Sequence, residues 1–487
     1  MEGNLRVQKS IKKNYLFNTA YQILTLITPL ITTPYVSRIL GADGIGTYSF
    51  ADSVTSYFVL AATMGISIYG QREISYFQND RQKRSDVFWN TKILECITSA
   101  ITLIVFYIFA MFSSNGTIFF VLSMNILAVM FDVTWLFQGM EEFGIITLRN
   151  TIFKFLNIAF IFVFVKQKSD LIIYIAGIAG FALISNLSLW TRLRQYVDRP
   201  QKENIRPLKN IKLVVSLFIP TIAIQVYTVL DKTMIGLITR DSFQNGYYEQ
   251  AIKMSRMALM LVTSLGTVMI PRIGHHYSIG EKKIVNTLMY RSYNFVWFLG
   301  IPLCFGLIGI ADNFVPWFFG NGYGAVTPLL RILSCLILAI GINNVTGMQY
   351  LIPTGRQNIF TKTVLVGAVV NVIMNALLIP IFKANGAAVA SVVAETTIAV
   401  IQLILVKKEI KGIQVLKILP KYLISGLVML VSLLWVNQFL EKSILDTILL
   451  IVMGAAIYLI ILFILKDKFL IENTKLVLSK VIGRKEK

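Results

Sequence analysis

The sequence predicts an all-α integral membrane protein of about fourteen transmembrane helices, and three observations carry that prediction. Of its 487 residues, 55% are apolar and only 15% are charged, with a mean hydropathy of +0.68, which is more apolar surface than one water-soluble core can enclose. Apolar runs of about twenty residues, long enough to cross a hydrocarbon layer, recur from end to end. Finally, the Lys and Arg residues behind the net charge of +21 lie in short clusters between apolar runs, as the positive-inside rule requires. A nucleic-acid binder concentrates its bases on one face, so nucleic acid is not an expected partner.

Taken in order, the first helix lies near 14–38, behind Arg6, Lys9, Lys12 and Lys13, and carries Pro29 and Pro34 as expected kinks. Its apolar run is too long and too poorly ended for a cleaved signal peptide and reads as an uncleaved anchor. Gly41, Gly44 and Gly46 punctuate the turn into the second helix, 46–69, where Asp52 sits in the polar stretch Tyr48–Ser53. Helices three to six fall near 86–112, 116–137, 144–165 and 170–190. The basic run from Arg192 to Lys212, with Pro200 and Pro207, makes 191–211 the longest inner loop and the natural join between two halves. Helices seven to fourteen lie near 212–238, 246–270, 284–310, 323–349, 357–381, 385–406, 418–440 and 443–465, with Pro220 and Pro302 as expected kinks in the seventh and ninth. Alternate loops carry the bases, whereas the remainder hold only Arg38, Lys166, Lys168, Arg240, Lys383 and Lys442. This bias of about five to one places both termini in the cytoplasm.

The expected organisation is an amino-terminal lobe at 1–195, a cytoplasmic linker at 196–211, a carboxy-terminal lobe at 212–410, and helices thirteen and fourteen with a basic tail at 411–487. Six helices is an even number, so two such lobes form a parallel pseudo-twofold repeat. Two echoes support it: Gly46-Thr47-Tyr48 with Gly246-Tyr247-Tyr248, and the run from Arg149 to Lys154 with that from Arg356 to Phe360.

Charges inside spans are costly and therefore informative. Lys92, Lys154, Asp312 and Lys362 lie near predicted helix ends and are expected to snorkel to the interface. Glu249, Lys253 and Arg256 recur at spacings of four and three and share one face of helix eight. Lys253 and Arg256 either offer donors to a phosphate or pyrophosphate in a wet cavity, or Glu249 and Lys253 form an intrahelical pair that braces the bundle. Asp231 and Lys232 are adjacent and point in different directions, so one of them faces the interior. Asp52 either titrates or coordinates a coupling cation, or pairs with a base on another helix.

Catalytic chemistry is poorly represented. The two histidines, His275 and His276, are adjacent, no HExxH or Ser/His/Asp grouping is available, and no GxxxxGK[ST] loop supports nucleotide hydrolysis. Cys96, Cys304 and Cys335 have no metal-ligand spacing. The chain is therefore expected to be no enzyme and to have no catalytic residues, metal site or bound cofactor, with an ion gradient, the membrane potential or substrate consumption as its energy source. No outer loop exceeds about a dozen residues, which leaves little room for an external catalytic segment.

The segments running from Pro29 to Gly41 and from Gly44 to Ser49, the stretch Trp135-Leu136-Phe137-Gln138-Gly139-Met140-Glu141-Glu142-Phe143, the stretch from Asp231 to Gly236, and Gly246-Tyr247-Tyr248 resemble the bacterial polysaccharide-biosynthesis exporters of the Wzx repeat-unit flippase type. The resemblance implies membership of the multidrug/oligosaccharidyl-lipid/polysaccharide exporter superfamily in the bacterial cytoplasmic membrane. It implies transfer of undecaprenyl-pyrophosphate-linked oligosaccharide repeat units from the inner to the outer leaflet, for capsule, O-antigen or related polymers, by alternating access. The implied partners are that polyprenyl-linked glycan, membrane lipids, and a polysaccharide polymerase with other assembly proteins. On this reading Lys253 and Arg256 are the preferred head-group contacts, with Lys232 and Arg38 behind them, and Asp52, Asp231 and Glu249 are candidates for coupling to Na+ or H+. The alternatives are an ion-coupled multidrug antiporter of the same fold, which needs an aromatic and acidic cavity, and a membrane polysaccharide polymerase or ligase.

Overall fold

A computed structural model describes the backbone of residues 2–200, 202–410 and 412–482; side chains within 1–20, 411–416 and 476–487, and at a few positions around 201 and 217–227, lie outside the described residues, as do the expected surroundings of Pro220. The described residues are helical, without strands. Eleven helices among them are long and apolar enough to cross a membrane. Two of these contain a non-helical residue, Gly41 (φ 68°, ψ 173°) and Lys383 (φ 53°, ψ −130°), and so hold two spans each. Ile211–Thr239 adds one more, which gives the fourteen spans expected. The break at Gly41 needs glycine, because a Cβ is not tolerated at that φ and ψ.

Several helices run longer than the apolar stretches expected from sequence. The second span runs from 42 to Tyr76 and is interrupted at Met64 and Gly65, both with positive φ. Gly65 also permits a close approach, since a Cβ there would lie 3.1 Å from the Cα of Phe218 on the seventh span. The eighth extends over Ser242–Ser278. In the ninth, Lys282–Phe319, a π turn at Val296–Gly300 precedes Pro302. Proline has no N–H for the carbonyl of Phe298; the Tyr458 hydroxyl of the fourteenth span donates to it instead, at 3.1 Å. A carbonyl that the proline cannot serve thus finds a side-chain donor.

The chain divides into two compact units, Met1–Gly236 and Leu237–Lys487. The division falls inside the seventh span, Ile211–Thr239. Within the first unit, Thr233 of that span donates to Ser53 Oγ at 3.0 Å and its hydroxyl lies 3.1 Å from that of Tyr57, both on the second span. The connection before it is also held down: Trp89 Nε1 donates to the Asp198 carbonyl at 2.7 Å, the Asp198 N–H donates to Ser85 Oγ at 2.8 Å, and Arg84 Nε donates to the Tyr196 carbonyl at 2.8 Å. Spans thirteen and fourteen belong to the second unit, because Met429, Leu433, Leu450, Tyr458 and Leu462 share one apolar core with Ile301 and Ile310 of the ninth span.

The two units repeat local features. Gly46 and Gly246 each sit four residues after the first residue of their helix, at 42 and Ser242. Left-handed Glu141 and Gly355 each close a helix, and the following N–H, of Glu142 or Arg356, reaches back to the carbonyl of Phe137 or Leu351 at 2.8 Å. The expected pairing of Arg149 with Arg356 is therefore out of register by about two helical turns: Arg149 lies inside the fifth span, Phe143–Phe164, whereas Arg356 precedes the helix that starts at Gln357.

Candidate functional site

In the first unit, Arg38 is exposed three residues before the Gly41 break. Asp52 on the second span is half-buried, Asp231 on the seventh is 8% exposed, and Lys232 is half-buried. The Ser53–Thr233–Tyr57 hydrogen bonds form a polar cluster between these spans, with Asp52 next to Ser53 in sequence and Asp231 two residues before Thr233.

In the second unit, Asp241 caps the eighth span by accepting the Phe243 N–H at 3.1 Å, and this registers Glu249, Lys253 and Arg256. The opposite face of that helix is buried: Ser255 Oγ donates to the Leu333 carbonyl at 2.7 Å, and the Tyr248 hydroxyl lies 3.2 Å from Ser391 Oγ. The charged face is left outward, with Glu249 and Lys253 half-buried and Arg256 exposed. Each of the seven residues singled out from sequence takes part in a polar, ring or electrostatic interaction.

Two groups of buried polar residues went unweighted in the sequence. Lys92, expected to snorkel, is 2% exposed; its Nζ donates to Glu95 Oε2 at 2.7 Å and to the Asp132 carbonyl at 2.8 Å. Burial was hidden because the expected helix began at 86, which put Lys92 near its end, whereas the helix starts at Arg81; the acidic partner three residues on was a legible signal. Asp312, also assigned to the interface, pairs with Arg331. The second group is neutral. Asn371 and Asn375 on the eleventh span are fully buried, with Asn375 Nδ2 donating to Asn371 Oδ1 at 3.1 Å. Asn343 Nδ2 donates to the carbonyl of Glu395 at 3.1 Å. Amides four apart within an apolar helix were the signal there, and attention to formal charge passed over it. Among the described residues, no cluster of three His, Cys, Asp or Glu could hold a metal.

Outside the spans, Glu409 accepts from Arg356 Nη1 with both oxygens at 2.7 Å and from the Tyr350 hydroxyl at 2.7 Å. The Arg356 guanidinium also lies 4.6 Å from the Tyr350 ring centre. Burial pushes the Glu409 carboxyl up, but the Tyr350 hydroxyl and the Arg356 guanidinium outweigh it and hold the group below the usual glutamate range.

The chain is 23% identical to the "Putative O-antigen transporter" of Escherichia coli K12 over 412 residues, covering 82% of this chain and 97% of that one. It is 21% identical to the lipid II flippase MurJ of Bacillus subtilis 168 over 442 residues, 79% of this chain and 80% of that one. Among solved structures, the inward closed conformation of the lipid II flippase MurJ superposes with a TM-score of 0.74 at 16% identity, covering 93% and 99% of the two chains. An inward-facing multidrug transporter of the MATE family superposes with a TM-score of 0.60 at 12% identity, covering 80% and 99%. The fold is thus the all-α transporter fold of these proteins. The family described as "Polysaccharide biosynthesis protein" matches residues 11–276, more than half of the chain, and this multi-pass membrane protein belongs to it.

Proposed function

We propose that this protein is a flippase that carries polyprenyl-pyrophosphate-linked oligosaccharide repeat units across the cytoplasmic membrane by alternating access, for the assembly of a surface polysaccharide. The observation that carries the proposal is the outward charged face of the eighth span in a protein of this family: Lys253 and Arg256 lie on one helix face, and a guanidinium can grip two phosphate oxygens at once. Lys232 and Arg38 are secondary contacts for the diphosphate. The polyprenyl tail stays in lipid, so only the polar head needs a protein-lined path. Asp52, Asp231 and Glu249 are the candidates for coupling to Na+ or H+. Both termini face the cytoplasm on this reading, and a polymerase acts on the product at the far leaflet.

The test is the fate of single lipid-linked repeats in a strain lacking the protein. Accumulation on the inner leaflet supports a flippase, whereas accumulation on the outer leaflet supports a polymerase, and altered drug resistance with normal polymer supports a multidrug antiporter. Arg256→Ala at normal protein levels is expected to lower polymer export at least tenfold; unchanged export overturns the head-group assignment.

A further inference from the structure

A cavity of about 420 Å³ lies wholly within the first unit, where the second span ends, the third begins, and the connection 203–214 crosses them. Its floor holds Thr91, 2% exposed, whose hydroxyl has no hydrogen-bond partner among the described residues. A buried hydroxyl without a partner is costly, so an occupant that hydrogen-bonds it recovers that cost. Beside it, Tyr69 is 5% exposed and its hydroxyl accepts from Asn210 Nδ2 at 2.6 Å, which leaves the phenolic proton to donate. The walls are fixed: Asn204 Nδ2 donates to Asp86 Oδ2 at 2.9 Å, and Asn90 Nδ2 donates to the Asn204 carbonyl at 2.9 Å. Two carboxylates, Asp86 and Glu203, and two cations, Arg206 and Lys209, complete the lining; among the described residues neither cation has an ion-pair partner.

The lining charges balance, two of each sign, and hydroxyl donors sit at the floor. That set complements a ligand with an anion and an N–H-bearing cation a few ångströms apart, rather than a simple anion. Leu208, between the lining residues Pro207 and Lys209 in sequence, is 62% exposed, and Val87, Leu94 and Val214 add apolar lining. We propose that this cavity binds a phosphate–ammonium zwitterion, the head of an aminophospholipid such as phosphatidylethanolamine or a soluble ester of the same chemistry. The phosphate meets Arg206, Lys209 and the two hydroxyls, and the ammonium meets Asp86 and Glu203. The site is separate from the residues assigned to transport, so its test does not depend on that reading.

The experiment is native mass spectrometry of the purified full-length chain titrated with short-chain phosphatidylethanolamine, phosphatidylcholine and phosphatidylglycerol, and with O-phosphoethanolamine. Phosphatidylethanolamine is expected to bind at least tenfold more tightly than the other two lipids, because a trimethylammonium has no N–H to donate and a glycerol head has no cation. Asp86→Asn and the Arg206→Gln/Lys209→Gln pair are each expected to erase that preference. Thr91→Val, close in shape and without the unpartnered hydroxyl, is expected to weaken binding several-fold while helicity and elution volume stay unchanged, which separates lost contact from misfolding. Competition by O-phosphoethanolamine assigns the site to the zwitterion itself; binding of the lipid alone assigns it to the membrane. Equal retention of all three lipids, or a preference that survives both charge variants, overturns the proposal.

Discussion

The fourth and tenth spans interrupt their helices in different ways, and the contrast shows what a membrane protein needs in order to bend. The fourth breaks outright between Gly116–Met130 and Thr134–Gly139, which leaves main-chain carbonyls without helical donors. Three side chains supply them: Asn186 Nδ2 donates to Ala128 at 2.7 Å, Trp190 Nε1 to Phe131 at 2.8 Å and Lys92 Nζ to Asp132 at 2.8 Å. The tenth, at the matching place, instead widens into a π turn at Asn344–Leu351, whose i→i+5 bonds stay within the main chain. There Tyr293 on the ninth span reaches Thr346 Oγ1 at 2.8 Å. Lys92 and Tyr293 are matched positions, each eleven residues after the first residue of its helix, Arg81 or Lys282. An open break requires a strong external donor, and an ammonium then requires Glu95 to balance it; a π turn makes do with a neutral hydroxyl.

Lys92→Met should cause the largest loss, about 3–5 kcal/mol, because Glu95 is left buried and uncompensated. The thermal unfolding midpoint in detergent measures it, and Lys92→Met with Glu95→Leu should recover most of the loss. Recovery would show the pair to be balanced charge; continued instability would put the weight on the Asp132 carbonyl. Trp190→Phe should follow at about 1–3 kcal/mol for one orphaned carbonyl. Tyr293→Phe should cost only about 0.5–1.5 kcal/mol, since Thr346 Oγ1 still donates to the Ile342 carbonyl at 3.0 Å. If Tyr293→Phe proves as damaging as Lys92→Met, the contrast between break and π turn fails. The smallest effect concerns pH. With its folded-state pKa held below the unfolded value of about 4.3, Glu409 contributes stability that is present above that value and is lost as pH falls through the folded pKa. Glu409→Gln should flatten the acid limb of stability against pH measured between about pH 5 and 3.

Much of this was legible in advance. Span number and order followed from apolar length, and the face shared by Glu249, Lys253 and Arg256 followed from helical spacing. Lys92 was misjudged because hydropathy along a chain measures distance to a helix end, whereas burial depends on what the third, fourth and sixth spans present to one another. The Asn371–Asn375 pair was missed for a related reason: an amide costs little in a window average but much when buried without a partner. Pro302 was marked as a kink, yet the Tyr458 hydroxyl that serves the freed carbonyl lies 156 residues away in sequence.

The lipid solvent, the count of spans and the clustering of bases in alternate loops could be read along the chain, since these depend on sums over local composition. Where the compact units divide, which intramembrane charges are buried, and which donors close the helix breaks depend instead on packing. Those outcomes turn on single hydrogen bonds between distant spans, such as Thr233 to Ser53 and Lys92 to Asp132, in an interior with no water to take their place.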